Sequence, residues 1–74
     1  MTLAEKLFGQ ECYGYAGIYR VVRNVGERHD VWIDSHNVKR FRNEIISEII
    51  VDVERRGHEL SNEQAEEIYK EIFG

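Results

Sequence analysis

Seventy-four residues, 42% hydrophobic, 32% charged and carrying a net charge of -4, fit one small globular domain, 1–74, near the size at which a single core only just outweighs chain entropy. That composition excludes a disordered tail, and since no apolar run is longer than the three residues Ile49 to Val51, a membrane span, which needs roughly 18 residues, is excluded as well. A lone cysteine excludes an intramolecular disulfide and a multi-cysteine zinc site, so Cys12 reads as a small buried apolar group. Glu5 and Lys6 interrupt the start where a secretory signal would be apolar, and a cytoplasmic protein is the expectation.

Thr2 and Glu5 have capping-box spacing, and Leu3, Ala4, Leu7 and Phe8 complete a two-turn amphipathic helix that Gly9 ends. So short a helix is unstable in water unless Leu3, Leu7 and Phe8 dock on something. Residues 10–16 are open between a lead-in to a strand and a continued helix.

From Gly17 to Ser35 two alternating apolar runs flank Asn24-Val25-Gly26, a pattern that predicts a β-hairpin. A three-residue loop with Gly26 in the left-handed conformation sets Arg23 opposite Glu27 and Arg20 opposite Asp30. Tyr19, Val21, Val31 and Ile33 then share one face, and Ile18, Val22 and Trp32 the other. With apolar groups on both faces, an isolated hairpin needs cover from helices or from another subunit.

Asn37 or Ser35 is placed to cap a long helix from Val38 to about Arg56, with Phe41, Ile45, Ile46, Ile49, Ile50 and Val53 forming its apolar stripe. Gly57 is its stop. Ser61 and Gln64 form a second capping box, and Ala65, Ile68, Tyr69, Ile72 and Phe73 predict a last helix folding back as an αα-hairpin. The predicted fold class is therefore α+β, ordered α-β-β-α-α, with the hairpin packed on the long helix.

Charge is unevenly placed along the chain. Residues 58–74 hold Glu59, Glu63, Glu66, Glu67 and Glu71 against Lys70, so the last helix has an acidic exterior that solvates the domain or meets a basic partner. Read as a DNA recognition helix, Glu63, Glu66, Glu67 and Glu71 would oppose phosphates, which argues against duplex DNA. A nucleotide or RNA alternative uses Arg20, Arg23, Arg28, Lys39, Arg40 and Arg42 for phosphates and Tyr19 or Trp32 for stacking.

His29, Asp30, Asp34 and His36 are metal-ligand types, but an extended backbone separates them onto two faces, and no metal or cofactor is expected. Gly14 and Gly17 precede a predicted strand where a phosphate loop would precede a helix. Ser35 and His36 point apart on an extended chain, so no catalytic group is assigned. The expected function is protein binding, as a small adaptor or an inhibitor of the phage or mobile-element type that occupies a partner's surface. A homodimer is the expected assembly, with Ile18, Val22 and Trp32 at the contact and Arg20 and Asp30 at its rim.

Overall fold

The computed structural model describes residues 2–9, 12–14 and 17–74. Among these residues there are four α-helices and no strand: α1 (Leu3–Phe8), α2 (Ile18–His29), α3 (Arg42–Arg55), preceded by a 3-10 turn over Val38–Phe41, and α4 (Asn62–Phe73). The β-hairpin and the α+β class are thus overturned.

The helix that replaces the hairpin follows from the same residues. Ile18, Val21, Val22 and Val25 recur at i, i+3, i+4 and i+7, which is a helical stripe as much as two short alternating runs. Wound as α2, the chain buries Ile18, Val21, Val25 and Gly26 on one side, so one helix face does what a bare hairpin would leave undone on two. The β-branched valines disfavour a helix by a few tenths of a kcal/mol each, and their tertiary burial outweighs that. Arg23 and Glu27 do meet, at 3.0 Å, but as an i,i+4 helix pair. Arg20 turns to Asp52 of α3, not to Asp30.

The other helices keep their expected places. Thr2 and Glu5 form the capping box of α1, and the hydrogen bonds from Thr2 hold the Glu5 carboxyl below its ordinary range. Ala4 and Phe8 are buried, with Leu3 and Leu7 packed at the margin of the core. Glu71 of α4 accepts a hydrogen bond from the Ala4 N–H at 3.2 Å, placing a carboxylate at the N-terminus of α1, where the helix dipole favours it.

Ser61 and Gln64 cap α4 reciprocally. Gly57, at φ 89°, ends α3, with bonds from Gly57 N–H to Glu54 and from His58 N–H to Val53. Neither Asn37 nor Ser35 caps the long helix as expected. Asn37 stands at the N-cap of the 3-10 turn, but neither it nor Phe41 before α3 makes a side-chain cap bond; the Asp34 carboxylate instead orders the turn ahead of them, accepting from the His36 and Asn37 N–H groups. Of the predicted stripe, Ile45, Ile46, Ile49 and Val53 are buried, while Phe41 and Ile50 are partly so. They meet Val21 and Val25 of α2 on one side and Ala65, Ile68 and Tyr69 of α4 on the other, in one continuous core that also takes in Cys12. The contribution of residues 10–16 to a sheet is tested only at 12–14, which form a turn; Gln10, Glu11, Tyr15 and Ala16 lie outside the described residues.

Candidate functional site

The end of α2 determines the most distinctive surface. Asp30 takes the left-handed conformation, φ 54°, and its N–H bonds to the Glu27 carbonyl while the Val31 N–H bonds to that of Gly26 at 2.9 Å. This is the Schellman arrangement with aspartate where glycine is usual. It turns the chain back along its own helix. Gly26 makes the return possible, because a Cβ there would lie 2.7 Å from the Val31 carbonyl oxygen.

Between the returning Val31-Trp32-Ile33 and the helix residues Tyr19, Val22, Arg23, Gly26 and Glu27 lies an open groove of about 450 Å³. Trp32 stands beside it with 75% of its surface in water, and Val31 and Tyr19 are also exposed. Burying an aromatic ring removes about 150–250 Å² from water, so a solvated indole next to other apolar groups is a costly surface to maintain. The segment is held in place. The Asn37 side-chain amide donates to the Trp32 carbonyl at 2.9 Å and accepts from the Asp34 N–H at 2.7 Å, fixing the backbone that carries the ring.

The residues expected at an interface separate into two groups. Val22 and Trp32 line the groove, but Ile18 is in the core, Arg20 faces α3 and Asp30 forms the turn. Tyr19, Val31 and Gly26 complete the groove without having been singled out for it. A helical reading of residues 18–29 places Tyr19, Val22 and Gly26 on one strip, and that spacing is the signal for them.

A second cluster lies along the α2–α3 seam. Glu48 and Asp52 are almost fully buried. Glu48 is paired with Arg28 and accepts from the Asn24 amide at 3.3 Å; Asp52 bonds Arg56 at 3.0 Å and lies 4.0 Å from Arg20. Positions 20, 24 and 28 on one helix and 48 and 52 on the other are successive i,i+4 steps, so the charges form an antiparallel ladder. Its signal in the sequence is a pair of carboxylates one turn apart beside the Ile45-Ile49-Val53 stripe.

This ladder bears on the basic residues considered for nucleotide or RNA. Arg20 and Arg28 are engaged by buried carboxylates, Arg23 by Glu27 and Arg42 by Glu66 at 3.9 Å. The Arg42 guanidinium also lies 5.6 Å from the centre of the Tyr69 ring. Lys39 and Arg40 are exposed on the 3-10 turn, Tyr19, Arg23 and Trp32 line the groove, and Arg20 and Arg28 line a second depression along the α2–α3 seam, so the candidates are split between separate places. On α4, Glu63, Glu66, Glu67 and Glu71 are all exposed, with Glu66 and Glu71 tied to Arg42 and Ala4. The described residues bring together no group of three or more histidine, cysteine, aspartate or glutamate side chains able to hold a metal ion, and none of their helices is long and apolar enough to cross a membrane. Burial pushes the Cys12 thiol up from its ordinary pKa, with the charges of Glu5 and Glu71 adding to the shift.

No family model, curated protein or solved structure matches the chain.

Proposed function

We propose that the chain is a non-catalytic protein-binding module whose docking surface is the groove beside Trp32. The observation that supports this reading is an indole 75% exposed on a backbone pinned by Asn37, next to apolar residues of α2. A backbone already held surrenders little conformational freedom on binding, and burial of the aromatic ring it carries supplies much of an interface's energy. The engagement of Arg20 and Arg28 by the buried carboxylates of Asp52 and Glu48 takes support away from phosphate recognition, which draws on uncommitted cations.

The test is photo-crosslinking in the cells that make the protein, with a photoreactive side chain at Glu27 on the groove rim and, separately, at Glu67 on α4. Adducts are expected from position 27, lost on Trp32→Ala, and none from position 67. Adducts from position 67 only, or from neither, would overturn the reading.

A further inference from the structure

We propose that the occupant of the groove is a second copy of this chain, related by a two-fold axis, with each Trp32 indole seated against Tyr19, Val22 and Arg23 of the other copy. The inference rests on the groove being a docking surface. A two-fold contact buries the same patch on both partners, so that patch must be complementary to itself in shape and in charge.

The shape requirement is met by a projection and a recess in one place. Trp32 stands out on the returning segment, and the adjoining groove of about 450 Å³ has room for an indole. Gly26 lets the segment that carries Trp32 lie against α2, with the Val31 carbonyl directly over it.

Charge separates a second copy from other occupants. The molecule carries -4, so most contacts between two copies set like charges together, as the outward glutamates of α4 would. The groove lining differs, holding one cation, Arg23, and one anion, Glu27. Both side chains are more than 60% exposed. Two α2 helices antiparallel across the axis bring each Arg23 toward the other copy's Glu27, so the internal pair exchanges for two pairs across the axis. A basic peptide would find no net negative lining to favour it, and an acidic one no net positive lining.

A stable pair of standard size covers about 800 Å² on each partner, roughly a sixth of the 5090 Å² exposed by this chain. The groove alone is far smaller than that, so the pair is expected to be weak, forming toward the upper part of a micromolar-to-millimolar range.

The chain has a single tryptophan, so its fluorescence reports this contact directly. Light scattering and emission spectra are to be recorded from micromolar to millimolar protein for wild type, Trp32→Ala, Arg23→Glu, Glu27→Arg and an equimolar mixture of the last two. The wild-type mass is expected to rise from 8.8 kDa toward twice that value, with the emission moving to the blue over the same range. Trp32→Ala should remain at 8.8 kDa. Each charge variant should associate about tenfold or more weakly, through like charges across the axis, and the mixture should regain association as a heterodimer. A constant mass of 8.8 kDa with unmoved emission, association unaffected by Trp32→Ala, or a mixture no tighter than either variant overturns the second copy. An adduct at position 27 to a different protein, with a monomeric purified chain, overturns the second copy and leaves the docking groove standing.

Discussion

Gly26→Ala tests the turn that creates the groove. At an exposed position inside a helix this change stabilises by about 1 kcal/mol, because alanine forms helix better than glycine. Here the new methyl would sit 2.7 Å from the Val31 carbonyl oxygen and 3.6 Å from Ile33 Cγ1. The nearer atom is backbone, tied to α2 by the Val31 N–H bond to the Gly26 carbonyl, so it cannot rotate away as a side chain would. Overpacking that shifts backbone costs typically 1–3 kcal/mol, and with the turn's hydrogen bonds also strained the upper part of that range applies. Subtracting the propensity gain leaves a net loss of about 1–2 kcal/mol, against a total stability of roughly 4–11 kcal/mol for a domain of this size. Urea denaturation followed by far-UV circular dichroism reads this as a lower midpoint with unchanged slope. Because the displaced segment carries Trp32, the same variant should also weaken association. A midpoint equal to or above wild type would refute the close approach of Val31 to α2 and the groove built on it.

Tyr69 is buried and its hydroxyl has no hydrogen-bond partner among the described residues, so Tyr69→Phe should stabilise by about 1 kcal/mol in the same titration; a loss of that size would show the hydroxyl to be paired. Arg28→Ala leaves Glu48 buried with only the Asn24 amide and should cost about 2 kcal/mol, below the value for a fully buried pair because Arg28 is 57% exposed. Joint replacement of Arg28 and Glu48 by methionine and leucine should be close to neutral, and a double-mutant cycle separates the two cases. Cys12 is 1% exposed and its thiol pKa is raised by burial, so thiol reagents should label it only at the rate of opening. The raised value also gives a stability that is full below the pKa of the unfolded thiol, about 8.5, and falls as pH rises above it toward the folded value. Denaturation midpoints across that range for wild type and Cys12→Ala should diverge from the ordinary alkaline trend only in wild type.

The sequence determined the elements whose signals are local. Two capping boxes, at Thr2 with Glu5 and at Ser61 with Gln64, and the glycine stop at residue 57 depend on hydrogen bonds within a few residues, so composition and spacing suffice to place them. The stripe of α3 was legible for a related reason: with Ile45, Ile46, Ile49 and Val53 it outlasts the β-branched run Ile49-Ile50-Val51, which could pass for a strand, and that length favours the helical period. Residues 18–33 were decided by tertiary structure. There a set of β-branched residues satisfies both periods, and only the chance to bury Val21 and Val25 against α3, with Glu48 and Asp52 receiving Arg28 and Arg20, favours the helix. The groove is likewise a product of folding, since it joins one strip of α2 to a segment reversed by a left-handed aspartate. Val22 and Trp32 were expected on one surface and both line the groove, but Tyr19, Val31 and Ile33 were expected on the opposite face, because which side chains stand beside Trp32 depends on whether the chain before it is a strand with a two-residue repeat or a helix with 3.6 residues per turn.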